Sequence, residues 1–183
     1  MLKTLLNRQI DGFERTWNYD ASYMRALLRG SLGSFLRFSI VTGMVDRKAA
    51  PAEALAAAGI VGTLAEDCGP CTQISTDMAT AGGVKPQVLK AILAGDEAAM
   101  GETAALAYRF AEASLARDMA TADPLRDEIV RRWGEKGLTA IALALTTARL
   151  YPTVKYALGY GKACSKVTVA GEPTAVVHPA LAA

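Results

Sequence analysis

Thirty-five of the 183 residues are alanine, while aromatic residues make up only 7% of the chain. Alanine is the strongest helix former, and strands are built instead from β-branched and aromatic side chains that fill a pleated surface. With 51% hydrophobic and 21% charged residues, the chain has enough apolar material for a core but is poor in strand-forming residues. The expected fold class is therefore all-α: one compact multi-helix domain over residues 1–183.

Periodicity places the helices. Apolar residues recur at helical spacing from Leu2 to Trp17 and again from Ala21 to Val45, the second run with a kink expected between Gly30 and Gly33. Pro51 suits a first turn, and the stretch after it, Ala52 to Glu66, is apolar nearly all round and so expected at the centre. The next helix, from Thr72, is closed by Gly82-Gly83. Others are expected from Val84-Lys85-Pro86 to Leu93, from Glu102 to Arg117, and from the N-cap Asp123 with Pro124 to about Trp133. A further helix spans Leu138 to Leu150, and after a bend at Tyr151-Pro152 the last one runs to about Cys164. Ser165 to Ala183, with alternating Val167 and Val169 and two prolines, reads as an extended or flexible C-terminal tail.

Charge narrows the function classes. Twenty basic against 18 acidic residues leave a net charge of +2, scattered without a basic block or an aromatic platform for stacking bases, so nucleic acid is excluded as an expected partner. Arg25, Arg29 and Arg37 read as a solvated face rather than an anion pocket. The first twenty residues are interrupted by Arg8, Asp11, Glu14 and Arg15, which leaves no signal-peptide core, and the weakly polar run Ala54 to Ala65 is far short of the ~20 residues that span a bilayer. A soluble, cytoplasmic protein with no membrane partner is expected.

The three cysteines are too few for a disulfide framework in a reducing compartment, which leaves metal binding, redox chemistry or packing. A structural zinc needs four ligands, and beyond the pair Cys68 and Cys71 only Cys164 and the single histidine, His178, remain. No metal and no bound cofactor are expected. In Cys68-Gly69-Pro70-Cys71 the two thiols are three apart at a helix start, on one face and near enough for an intramolecular disulfide. First-turn N–H groups favour a thiolate there, while Glu66 and Asp67 just before the pair push the other way. A dithiol redox centre, a small buried pair and half a zinc site all fit these residues. Cys-Gly-Pro-Cys is common in the thioredoxin fold, but here no strand with a tryptophan precedes it, and helix lies on both sides.

The pair sits in a longer order of elements. Ala65-Glu66-Asp67-Cys68-Gly69-Pro70-Cys71 is followed by Ala79-x-x-Gly82-Gly83-Val84, the helix Val88 to Leu93, Ala94-Gly95-Asp96, and Tyr108-x-Phe110-Ala111-Glu112-x-x-Leu115-x-Arg117-Asp118. From about Tyr23 to Cys164 this resembles the alkylhydroperoxidase D-like branch of the carboxymuconolactone decarboxylase superfamily. The resemblance implies an all-helical homo-oligomer acting as a disulfide reductase or peroxidase, with electrons from a thiol or lipoyl-type donor protein. It also implies that Cys71 attacks the substrate and that Cys68 resolves the product as a redox-active Cys68–Cys71 disulfide.

Two positions depart from the family pattern. Its peroxidase motif has a histidine four residues after the second cysteine and a glutamate twelve before the first, where this chain has Ser75 and Ala56. Ser75 shares a helix face with Cys71 and can hydrogen-bond its sulfur, but a hydroxyl is a poor base at neutral pH. Glu66, Glu53 and Asp77 are the carboxylates left to support the pair, although Glu53 also reads as a first-turn residue favoured by the helix dipole and Asp77 as a solvated helix position. The expectation is a thiol–disulfide oxidoreductase with weak hydroperoxidase activity. Its competitors are a non-catalytic or redox-sensing helical oligomer, and a lyase like the superfamily's namesake decarboxylase that works without a cysteine pair.

Overall fold

In the computed structural model, which describes residues 1–161 and 167–177, the chain is an all-α assembly with one small β-hairpin. In chain order the helices are α1 (Leu2–Trp17), α2 (Ser22–Gly30), α3 (Leu32–Ser39), continued by a 3-10 turn Ile40–Gly43, α4 (Ala52–Ala65) and α5 (Gly69–Ala81). Then follow α6 (Pro86–Ala94), the single turn α7 (Glu97–Met100), α8 (Glu102–Ala116) and α9 (Met119–Ala157), and the hairpin pairs β1 (Val167–Val169) with β2 (Glu172–Thr174).

Helix α4 is central, as its all-round apolarity requires, and packs against α5, α6, α8 and α9. Its small side chains decide how closely the others approach. Ala54, Ala57 and Ala58 are wholly buried, as are Ala107 and Ala111 on the facing side of α8. At Gly62 the backbone of α9 comes so near that an added Cβ would stand 2.7 Å from the Leu145 carbonyl oxygen. Much of the alanine content is thus spent on close packing as well as on helix propensity.

A second apolar cluster joins the first three helices. Leu6, Ile10, Tyr19, Tyr23, Leu28 and Phe35 pack together and reach the rest through Ile74 of α5 and Tyr151 and Val154 of α9. Arg25 clasps α2 to α1 by ion pairs to Asp11 (2.5 Å) and Glu14 (2.6 Å), so it is a tie between helices, whereas Arg29 and Arg37 are exposed.

Several boundaries differ from the sequence reading, each for a local reason. The kink expected near Gly30 is a full break at Ser31, which is extended (φ −159°) and caps α3 by accepting the Ser34 N–H on its hydroxyl. Helix α9 starts at Met119 and not at Pro124, because the Asp118 carboxylate accepts both the N–H and the hydroxyl of Thr121. It is interrupted at Gly134, where φ is 68°. There is no bend at Tyr151-Pro152: the helix continues to Ala157, Pro152 forgoing its own N–H while Thr153 donates its hydroxyl to the Arg149 carbonyl. The expected extension to Cys164 ends at Ala157, and Cys164 itself lies outside the described residues.

The tail is a docked hairpin where it is described. Ala170 and Gly171, both at positive φ, make its two-residue turn, and Val167 and Val169 are buried against the α5–α6 layer. Beyond it, the Val177 N–H donates to the Leu93 carbonyl at 2.9 Å. Ser165 and His178, like the remaining tail residues to Ala183, lie outside the described residues. Among the described residues no helix is long and apolar enough to cross a membrane.

Candidate functional site

The turn between α4 and α5 builds the site. Asp67 takes a left-handed conformation (φ 47°), which a short polar side chain tolerates better than most, and its carbonyl accepts the Tyr156 hydroxyl at 2.8 Å. This reversal delivers Cys68 to the N-cap of α5, with Pro70 in the first turn, where its missing N–H costs nothing. The Thr72 N–H and hydroxyl both donate to the Cys68 carbonyl, at 2.9 and 3.1 Å. Cys71 then lies one turn on. The two sulfurs are joined as a disulfide across a Cα separation of 5.3 Å, with Cys68 fully buried and Cys71 2% exposed.

Beside the disulfide is a cavity of about 360 Å³. It is enclosed by α4, α5 and α9, by Tyr19, Tyr23 and Met24, and by the chain after α3. Cys71 is on its wall and Cys68 is not. Ile60, Ile74 and Met78 make the wall apolar, and the hydroxyls of Thr63 and Thr147 are turned to the Ile60 and Leu143 carbonyls. Arg47 is the one charged side chain among the described residues that line it.

Ala56 and Ser75 line the same cavity as Cys71, so both positions face one space with the sulfur and neither carries a group that titrates near neutrality. The three carboxylates singled out in the sequence are placed elsewhere. Glu66 pairs with Arg149 (2.5 Å) and ties the end of α4 to α9. Asp77 accepts a hydrogen bond from Gln73 at 2.9 Å, and Glu53 sits half-buried in the first turn of α4. None of the three is on the cavity wall.

The structure adds residues that sequence reasoning did not single out for the site. The Tyr19 hydroxyl lies 3.9 Å from the Cys71 sulfur, and the Lys155 ammonium donates to that hydroxyl at 3.1 Å. Lys155 is 2% exposed, with its nitrogen 4.6 Å from the ring centre of Tyr19 and 5.4 Å from that of Tyr23. Burial pushes the Tyr19 phenol up to about 12, against a hydrogen bond from Tyr23 that pulls it down. Burial also raises Tyr23, and lifts Tyr151 to about 12. All three phenols therefore keep their protons at neutral pH. The Tyr151 hydroxyl, buried on the cavity wall, has no hydrogen-bond partner among the described residues. The available signal was spacing: Tyr19 and Tyr23, and Tyr151 and Lys155, are each four apart.

Among the described residues no three His, Cys, Asp or Glu side chains gather as a metal site. No protein-family model, no curated protein and no solved structure matches the chain.

Proposed function

We propose that this protein is a cytoplasmic thiol–disulfide oxidoreductase of the alkylhydroperoxidase D-like kind, with Cys71 as the attacking and Cys68 as the resolving sulfur. The observation that carries the reading is the unequal placement of the bonded pair, one sulfur on the wall of an apolar cavity and the other behind it. In the reduced protein the Cys71 thiolate attacks the hydroxyl oxygen of an organic hydroperoxide; the O–O bond breaks, Cys71 becomes a sulfenic acid, and the alkoxide takes a proton and leaves as the alcohol. The Cys68 thiol then forms the S–S bond, and its proton leaves with the hydroxyl as water. A disulfide substrate is reduced by two successive exchanges at the same sulfurs. A thiol or lipoyl-type dithiol donor restores the pair and is itself oxidised to a disulfide. Hydroperoxide turnover is weak, because Ser75 and Ala56 supply no base.

Titration of the purified protein against glutathione buffers, with free thiols trapped by alkylation and read by mass spectrometry, tests this. A reversible Cys68–Cys71 disulfide with a potential between about −180 and −270 mV, together with activity lost in Cys71→Ser, supports it. Thiols that stay reduced and inert across that range sink it. The competing redox-sensing reading draws on the disulfide closing the first turn of α5, from its N-cap Cys68 to Cys71; reversible oxidation without turnover favours it. Arg47 on the cavity wall gives the decarboxylase-like reading a partner for a carboxylate, and turnover of a carboxylated lactone that survives replacement of both cysteines is its mark.

The reading includes a homo-oligomer. Leu36, Ile40 and Met44, along α3 and the chain that continues it, are apolar side chains left 43%, 68% and 44% exposed. Light scattering that shows a monomer at micromolar concentration refutes this part.

A further inference from the structure

We infer that Tyr19 and Lys155 form the proton path of Cys71, Tyr19 touching the reacting sulfur and Lys155 acting through Tyr19. The inference rests on the oxidoreductase reading for its purpose, but its geometry stands apart from it. The Lys155 nitrogen, the Tyr19 oxygen and the Cys71 sulfur form an unbroken line of two contacts, 3.1 and 3.9 Å long. All three residues are buried, at 2%, 7% and 2% exposure, and Tyr19 and Cys71 line one cavity. A low-dielectric setting strengthens such a chain and limits competition from water.

The balance of the path is simple. In the reduced protein the Cys71 proton goes to solvent, and the thiolate left behind accepts the Tyr19 hydroxyl, whose oxygen in turn accepts from the Lys155 ammonium. The result is a thiolate, a neutral phenol and an ammonium. After attack on a hydroperoxide or disulfide, the leaving alkoxide or thiolate takes the Tyr19 proton, the Lys155 ammonium reprotonates Tyr19, and the amine so formed takes a proton from solvent. Tyr19 is a phenol at both ends of the cycle, as its raised pKa requires. The cationic Lys155 steadies the thiolate between these events.

Other titratable and charged groups face the path from each side. Among the described residues these include Tyr23 on α2, the exposed Asp20 in the α1–α2 turn, Tyr151 one turn before Lys155, Cys68 across the disulfide, and Arg47 on the cavity wall. Asp20 works against ionisation of Cys71 and Arg47 works for it. Tyr23, Asp20, Tyr151 and Arg47 are unchanged in the variants below.

The test is the pH profile of Cys71 alkylation by iodoacetamide in the full-length Cys68→Ser protein, which keeps Cys71 free; the Cys164 peptide is resolved by mass spectrometry. Tyr19→Phe keeps the ring that packs edge-on against Phe13 and Tyr23, and Lys155→Met removes the amine. Each is expected to raise the alkylation midpoint by about one pH unit, which is about tenfold slower reaction at pH 7. Because both act on one path, the double variant is expected to go no further than either single one. Lys155→Gln, which retains a donor to Tyr19 but no positive charge, is expected to recover folding without recovering the midpoint. An unmoved midpoint in a folded Tyr19→Phe protein overturns the inference, and so do fully additive shifts. The profile needs no substrate. A shifted midpoint without turnover therefore sinks the proposed function alone, and turnover with an unmoved midpoint sinks the path alone.

Discussion

The side-chain amide of Gln73 pairs with the backbone of Thr168 as a neighbouring strand would: its Nε2 donates to the Thr168 carbonyl at 2.9 Å, and its Oε1 accepts the Thr168 N–H at 2.7 Å. Two residues after Cys71, helix α5 thus supplies hydrogen-bond partners to the outer face of a two-stranded hairpin that would be marginal alone. Replacing Gln73 with alanine is expected to lower stability by about 1 kcal/mol. Hydrogen exchange should show the Thr168 amide losing protection while the Cys68–Cys71 disulfide still closes.

Ser75 faces the cavity from the turn of α5 that follows Cys71. A histidine there would stand on the same face as the sulfur and supply a base with a pKa near neutral. Ser75→His is expected to raise kcat/KM for an organic hydroperoxide by about tenfold or more, within the range that a positioned general base provides. Steady-state kinetics with a dithiol reductant would read it, with the rate falling below about pH 6 as the imidazole takes up a proton.

Two glycines of α4 should respond in opposite directions. Gly59 lines the cavity and has open space where a Cβ would go, so Gly59→Ala is expected to stabilise the helix by about 0.5–1 kcal/mol. Gly59→Phe should fill the space and slow reaction with bulky substrates more than with hydrogen peroxide. Gly62→Ala, by contrast, drives a methyl into the Leu145 carbonyl and is expected to cost about 1–3 kcal/mol. Chemical denaturation of the three variants separates these outcomes.

Two glutamates should tilt the acid side of the stability profile in opposite senses. The Arg25 hydrogen bond holds Glu14 below its ordinary 4.5, so Glu14 contributes stability that is fully present above that pH and is lost as pH falls through its folded value. Burial raises Glu112, against a hydrogen bond from Tyr108, so its folded form binds a proton more tightly and stability falls as pH climbs from about 4.5 through the raised value. Melting temperatures across the acid range are expected to lose the first dependence in Arg25→Met and the second in Glu112→Gln.

Local pattern accounts for what could be read in advance. The Cys68–Cys71 spacing, the helix start beneath it and the shared face of Cys71 and Ser75 all lie within one turn of chain, where helical geometry dictates neighbours. The central place of α4 followed from its uniform apolarity. Helix ends were less legible, because Asp118 and Asp123 both offer a cap and only one of them meets a threonine three residues on. The hairpin was masked by shortness, its alternation carried by Val167 and Val169 alone. Lys155 was illegible for another reason: a lysine near a helix end ordinarily faces water, and only its meeting with Tyr19, 136 positions away in sequence, makes it part of a site.

Because these partners are so far apart in the chain, the order of synthesis matters. A nascent chain emerges from its N-terminus, so Tyr19 and the cysteine pair leave the ribosome well before Lys155 and the part of α9 that closes the cavity. Until that last long helix docks, the cavity beside Cys71 lacks the wall that α9 supplies. A chain broken off before α9 would carry the whole cysteine motif and still lack the amine and the wall that set Cys71 apart.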